Sequence, residues 1–190
     1  SSGVQVLNNN ITLTGHATGI HTDNAAATGG TADLIQGNTI TCAGDGTGYG
    51  LMSFNPAVAP TFQENTVNSC GVGLTAAGAH AGIQAIFQRN VVDGNGASGA
   101  TGIYVTTSLF GWGSTNVTAL FRNNVVQEVT DTAYIDAQTG FNLDAVLTDN
   151  ALLGTNGILL STGTGTFNID ASANWWGSND PATVKAAANS

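Results

Sequence analysis

The 190-residue sequence predicts an all-β solenoid of about seven rungs, a coil of short parallel strands stacked on one another. The main observation is an Asn that recurs with an apolar residue three positions before it and another two positions after it. The seven instances are Asn9, Asn38, Asn65, Asn90, Asn124, Asn150 and Asn174. Subtracting successive numbers gives steps of 29, 27, 25, 34, 26 and 24, a period typical of solenoid repeats.

The order of elements within each repeat is the second observation. A short β-rich run precedes the Asn, and two or three strand residues follow it. A Gly-rich turn then leads to a Gly-apolar pair such as Gly50-Leu51 or Gly73-Leu74. Alternating apolar residues, as in Ile103 and Val105, place one side chain inside the coil and the next outside. Each rung is therefore expected to contain strands separated by bends.

The repeated Asn is expected to occupy a corner of the coil, because Asn tolerates a left-handed backbone. Its amide can bond the same Asn one rung above and below, which forms an internal ladder. Phe62, Phe87 and Phe121 share one position in three consecutive rungs. We expect these three rings to stack in the core.

Cys42 and Cys70 follow the repeated Asn by four and five residues in consecutive rungs. Neighbouring strands lie about 4.8 Å apart, a separation that a disulfide spans easily. The sequence thus predicts that the two cysteines are neighbours. It leaves open a disulfide or two buried thiols.

Composition indicates one domain over residues 1–190, because the repeats run through nearly the whole chain. The net charge is −9, with only Arg89, Arg122 and Lys185 positive, which argues against nucleic acid as a partner. No stretch approaches the roughly 20 apolar residues that span a membrane, so membrane insertion is not expected. The first repeat starts close to residue 1, which suggests an excerpt of a longer solenoid. The sequence gives no indication of the oligomeric state.

The closing segment Asn174-Trp175-Trp176-Gly177, followed by Asp180-Pro181, resembles the Asn-Trp-Trp-Gly terminal rung of many secreted and cell-surface β-helix proteins. With the Asn spacing and the Gly-apolar pairs, it makes the chain similar to right-handed parallel β-helices of the pectate-lyase-like superfamily. The resemblance implies a C-terminal cap over residues 173–190. It also implies that any enzymatic member would use clustered carboxylates with Arg or Lys on acidic polysaccharides.

An acidic face is the one place where such chemistry is expected. Asp131 and Asp136 fall in one rung and Asp144 and Asp149 in the next, with Arg122 nearby in sequence. If the chain is an enzyme, these five residues are its candidate catalytic groups. No His lies near them in the sequence.

Two loops are candidate binding sites. Asp93-Gly94-Asn95-Gly96 is an oxygen-rich turn in which Asp93 and Asn95 could hold calcium, although an ordinary turn is the simpler interpretation. No other cofactor is expected. The 34-residue step contains an aromatic insertion, 108–114, with Phe110 and Trp112. This insertion either folds over the solenoid as a lid or presents Trp112 to a sugar or a partner protein.

The leading functional expectation is a non-catalytic extracellular or cell-surface domain, a rigid spacer or adhesion module that contacts a glycan or a surface protein. The first alternative is a lyase or glycoside hydrolase acting on acidic glycans. The second is an ice-binding surface, for which Thr39 and Thr41 share a rung. Equivalent positions elsewhere include Asn, Val, Asp and Leu, so only part of one face could serve.

Overall fold

A computed structural model of the protein describes residues 3–23, 30–161 and 163–188. It confirms the predicted fold class, because the strands form three parallel sheets stacked as a β-solenoid. Six complete three-stranded turns are followed by one further strand that begins a seventh. The one helix among the described residues, α1, covers Pro181–Ala188.

The strands are given in chain order, turn by turn. The first three turns contain β1 (Gln5–Leu7), β2 (Asn10–Thr12), β3 (Thr18–Asp23), β4 (Leu34–Gln36), β5 (Thr39–Thr41), β6 (Tyr49–Phe54), β7 (Thr61–Gln63), β8 (Thr66–Asn68) and β9 (Val72–Ala77). The next three contain β10 (Ala85–Gln88), β11 (Val91–Asp93), β12 (Thr101–Thr106), β13 (Val117–Arg122), β14 (Val125–Gln127), β15 (Asp131–Asp136), β16 (Asn142–Thr148), β17 (Ala151–Leu153) and β18 (Asn156–Leu160). The seventh turn contributes β19 (Thr166–Asp170).

Each turn contributes one strand to each sheet. Sheet A contains the first strand of every turn, in the order β1-β4-β7-β10-β13-β16-β19. Sheet B contains the second strands, from β2 to β17, and sheet C the third strands, from β3 to β18. Successive turns are in register, so residues at equivalent positions form columns along the solenoid.

The corner between sheets A and B carries a continuous Asn ladder. Asn90 shows the pattern: its Nδ2 donates to Asn124 Oδ1 at 3.0 Å and to the Phe62 carbonyl at 3.0 Å. Its Oδ1 accepts from the amide nitrogen and Nδ2 of Asn65, at 3.1 and 2.9 Å. The same side-chain bonds link all seven repeated Asn in sequence order. Their buried polar atoms are thus satisfied by one another and by the backbone.

The left-handed backbone at this corner belongs to the residue before each Asn, and the expectation that it belongs to the Asn itself is wrong. The seven preceding residues all have positive φ: Asn8, Gly37, Glu64, Arg89, Asn123, Asp149 and Ala173. This residue makes the bend and points outward. The bend leaves the following Asn free to turn its amide inward to the ladder.

The core lies between the three sheets and is built of like residues stacked on like. Phe62 and Phe87 stack with ring centroids 4.6 Å apart, and Phe87 and Phe121 with centroids 4.8 Å apart. All three rings are fully buried. At the corner between sheets B and C, Cys42 and Cys70 form a disulfide with Cα atoms 4.8 Å apart.

The C-terminal end of the stack is covered. Trp176 is 9% exposed, and α1 packs against β18 with Val184 on the core. Asp180 begins the helix, because its Oδ2 accepts from the Thr183 amide nitrogen at 2.8 Å, as an N-cap residue does. Residues 189 and 190 of the predicted cap lie outside the described residues.

Candidate functional site

The connection between β12 and β13 is the most irregular feature of the described solenoid, and we call residues 107–116 the aromatic loop. It forms a narrow turn closed by an antiparallel bridge between Ser108 and Ser114. The Leu109 amide donates to the Gly113 carbonyl at 2.9 Å. Phe110 has a φ of 50°, which is uncommon for a bulky residue. The turn separates its side chains, so that Leu109 is buried and Trp112 is 85% exposed.

The aromatic loop is anchored where β9, an interior strand of sheet C, ends. Thr115 Oγ1 donates to the Ala79 carbonyl at 2.9 Å, and the Ala79 amide donates to the Asn116 carbonyl at 2.7 Å. Leu109 approaches Gly78 so closely that a Cβ there would lie 2.6 Å from Leu109 Cδ2. The loop therefore lies over the solenoid, and its tip projects from a fixed base.

Phe110 packs into an aromatic cluster on the outer face of sheet C. Its ring centroid lies 5.9 Å from that of Tyr49, 6.5 Å from Phe54 and 6.2 Å from Tyr104. Phe54 also meets His21 edge to face at 5.3 Å. These distances are typical of aromatic pairs, so five rings from four separate segments form one continuous surface.

Between this cluster and Trp112 lies a cavity of about 760 Å³, which we call the aromatic cavity. Its volume falls in the range of small-molecule sites, roughly 300–1,000 Å³. Its lining combines aromatic and aliphatic side chains with a few polar groups: Thr18, His21, Asp23, Tyr49, Met52, Phe54, Asn55, Leu109, Phe110 and Trp112. This composition suits a ligand with apolar faces and polar edges.

Burial affects the tyrosines of the cluster. Partial burial raises the pKa of the Tyr104 hydroxyl to about 12, and it also raises the pKa of Tyr49. Both phenols therefore stay neutral at physiological pH. The Tyr49 hydroxyl belongs to the cavity lining and can act as a hydrogen-bond donor or acceptor.

The five candidate catalytic residues do not converge. Asp131 and Asp136 face outward on sheet C, Asp144 lies on sheet A, and Asp149 lies at the corner between sheets A and B. Each accepts a hydrogen bond from a separate neighbour: Asn156 at 2.7 Å, Gln138 at 2.8 Å, Asn168 at 3.0 Å and Thr148 at 3.3 Å, respectively. Arg122 lies on sheet A, where its Nε donates to Gln88 Oε1 at 2.9 Å. The five residues thus occupy three parts of the solenoid surface.

The candidate calcium turn is held by hydrogen bonds within the protein. Asp93 Oδ1 accepts from the Asn95 amide nitrogen at 2.9 Å, and its Oδ2 accepts from Gln127 Nε2 at 2.8 Å. Asn95 Nδ2 donates to Ser69 Oγ at 3.0 Å. Within residues 3–23, 30–161 and 163–188, no three His, Cys, Asp or Glu side chains are grouped so that they could hold a metal ion.

The outer face of sheet B changes character along the solenoid. In the first three turns it presents Asn10, Thr39 and Thr66 in one column and Thr12, Thr41 and Asn68 in the other. In the next three the columns continue with Val91, Val125 and Ala151, and with Asp93, Gln127 and Leu153. The polar array considered for ice binding therefore covers half of this face.

Sequence reasoning singled out Phe110 and Trp112 but missed the other rings of the cluster, those of His21, Tyr49, Phe54 and Tyr104. A usable signal was present, because aligning the rungs places Tyr49 and Phe54 at outward positions of sheet C. Both positions are aromatic, whereas their partners in the next rung are Val72 and Ala77.

Comparison with protein-family models, with curated proteins and with solved structures returned no match to this chain. In the part of the chain that the structure describes, no helix is both long and apolar enough to span a membrane.

Proposed function

We propose that this chain is a non-catalytic β-helix domain that contacts glycans through the aromatic cavity. The observation that carries the proposal is Trp112, 85% exposed at the tip of an anchored loop and beside the cavity lined by Phe110, Tyr49 and Phe54. The C–H faces of sugar rings pack well on flat aromatic rings, while their hydroxyls need polar partners. His21 and Asn55 supply such partners in the lining.

The non-catalytic part of the proposal is supported by the arrangement of charged groups. General acid–base chemistry needs a proton donor and a proton acceptor that both reach the reacting atoms. Arg122 and the four candidate carboxylates each contact a different neighbour on separate parts of the surface. This separation of the charged groups is consistent with a rigid binding module.

We also propose that the chain belongs to the pectate-lyase-like superfamily and functions outside the cell or at its surface. The Asn ladder, the three parallel sheets and the buried Trp176 in the Asn-Trp-Trp-Gly segment support the first statement. The disulfide between Cys42 and Cys70 supports the second, because disulfides persist in oxidising compartments.

A glycan array probed with the labelled protein tests the proposed function, followed by tryptophan fluorescence titration with the ligands found. We expect binding that Trp112→Ala weakens about tenfold and Trp175→Ala retains, because Trp175 is an exposed aromatic residue at the far end of the solenoid. An empty array, or equal loss in both variants, would refute glycan binding at this cavity.

The same protein incubated with pectin and alginate tests the non-catalytic statement. New reducing ends or unsaturated products that disappear in Arg122→Gln or Asp136→Asn would establish the lyase or hydrolase alternative. Binding of a surface protein with no glycan binding would instead support an adhesion role without sugar recognition.

A further inference from the structure

The outer face of sheet C carries acidic side chains without Lys or Arg beside them. Its six strands contain three Asp residues and no Lys or Arg. Asp23 lines the aromatic cavity, while Asp131 and Asp136 lie on the same face in the fifth turn. His21 is the one basic side chain in the cavity lining. A ligand that lies along this face therefore meets negative charge.

The three cationic side chains of the chain all lie elsewhere. Arg89 bonds Glu64 at 2.8 Å and Arg122 bonds Gln88, both along the outer surface at the end of sheet A. Lys185 belongs to α1 at the C-terminal end of the solenoid. With a net charge of −9, the protein offers no Lys or Arg to a carboxylate-bearing sugar at the cavity.

The rings of the cavity add to this preference. Tyr49, Phe54, Phe110 and Trp112 line one space, and the faces of aromatic rings carry partial negative charge. A cation within about 6 Å of such a ring is attracted to its face, and several rings around one space are the arrangement used for quaternary ammonium ligands. A uronate carboxylate would be repelled by the same groups.

We propose that the aromatic cavity binds a sugar that carries a protonated amine, with the ammonium group held by Asp23 and the aromatic rings. This inference rests on the proposed function and specifies its ligand class. It contradicts the expectation of an acidic glycan, because the cavity combines aromatic faces with a carboxylate and lacks Lys and Arg.

Three oligosaccharides with one β-1,4-linked skeleton test the inference, because they differ mainly in charge. They are the glucosamine hexamer, its N-acetylated form and the glucuronate hexamer, titrated by calorimetry at pH 5.5 in low salt. We expect the glucosamine hexamer to bind about tenfold more tightly than the acetylated one, and the glucuronate hexamer not to bind.

Matched variants test which residues produce the preference for the glucosamine hexamer. Asp23→Asn should weaken binding of the glucosamine hexamer by about threefold. Asp149→Asn removes the same charge at an exposed left-handed corner position that Asn tolerates, and it should leave binding unchanged. Trp112→Ala should weaken binding by about tenfold and Trp175→Ala should not. Salt should weaken the glucosamine complex more than the acetylated one.

The outcomes separate this inference from the proposed function. If the acetylated or glucuronate hexamer binds as tightly as the glucosamine hexamer and depends on Trp112, the glycan site stands and the amine preference is refuted. A lysine hexamer, titrated in the same way, is the control for unspecific attraction between charges. If the glucosamine hexamer binds no better than this control and Trp112→Ala has no effect, the attraction is unspecific and the inference is refuted. If none of the three hexamers binds, the inference is refuted, and the array alone decides the proposed function.

Discussion

Two corners of the solenoid differ in regularity. Between sheets A and B every connection in the six complete turns is two residues long, and its second residue is the ladder Asn. Between sheets C and A the connections that the structure describes in full vary from five to ten residues, and the aromatic loop is the longest of them. The comparison indicates that the first corner is constrained by rung-to-rung hydrogen bonding, whereas the second is free to vary and to carry a site.

The same comparison separates stability from function. A buried amide that exchanges bonds with the rungs on both sides cannot be replaced without leaving its neighbours unpaired. An exposed ring at the tip of a loop contributes little to folding. Variants at the ladder corner should therefore change the free energy of unfolding, and variants at the loop should change binding.

The third corner, between sheets B and C, should show the largest effect on stability. Replacing Cys42 and Cys70 together by Ala opens a 28-residue loop in the unfolded chain, which should lower the free energy of unfolding by about 3–4 kcal/mol. Guanidinium unfolding of the two proteins measures the difference. A loss below about 1 kcal/mol would mean that strain or residual structure offsets the cross-link.

The ladder itself should show the next largest effect. Asn90→Ala removes four side-chain hydrogen bonds in the middle of the stack and should lower the free energy of unfolding by about 1–3 kcal/mol. Asn168→Ala, at an exposed Asn of sheet A, and Trp112→Ala should each change it by less than about 0.5 kcal/mol. Equal losses of unfolding free energy in all three variants would show that the ladder corner contributes no more to stability than the other positions.

The left-handed positions offer a stabilising change. Ala173 has a φ of 56°, where a Cβ is unfavourable, so Ala173→Gly should raise the free energy of unfolding by about 0.5–1 kcal/mol. Gly37→Ala makes the reverse change at an equivalent position. It should lower stability by a similar amount, because the new Cβ would meet only Asn8 Oδ1, the end of an exposed side chain that can move away. Thermal unfolding of the two variants shows whether stability rises in Ala173→Gly and falls in Gly37→Ala.

The sequence predicts the regular corner well, because a fixed chemical requirement there repeats with the rung. The positions of the ladder Asn and of the stacked Phe62, Phe87 and Phe121 follow from spacing alone. The sequence-based prediction places the left-handed residue one position too late. Its identity varies among Asn, Gly, Glu, Arg, Asp and Ala, so the sequence carries no repeated signal for it.

The irregular corner is predictable only in part. The long step in the repeat locates an insertion, and its composition indicates Phe110 and Trp112. The partners Tyr49 and Phe54 lie more than fifty residues earlier in the sequence. Their contact with Phe110 depends on the packing of Leu109 against Gly78, a tertiary contact that the repeat pattern does not encode.

The outward residues of the ladder corner should show the smallest effect, measured as a function of pH. The hydrogen bond from Arg89, and then that from Gln36, holds the pKa of the Glu64 carboxyl below its usual value. A lowered pKa in the folded state means that the ionised carboxylate favours folding. This contribution is present above the ordinary Glu pKa of about 4.3, and it is lost as the pH falls through the folded-state value. Both side chains are about half exposed, so the change should be small and should weaken with salt.

Carbon-13 NMR of the Glu64 carboxyl follows this titration directly. Arg89→Gln should raise its pKa toward the ordinary value and Gln36→Ala should raise it less, because the Arg89 bond is the larger cause. The stability difference between the wild type and Glu64→Gln should shrink between pH 7 and pH 3. An unchanged Glu64 pKa in Arg89→Gln would show that the ion pair does not form in solution.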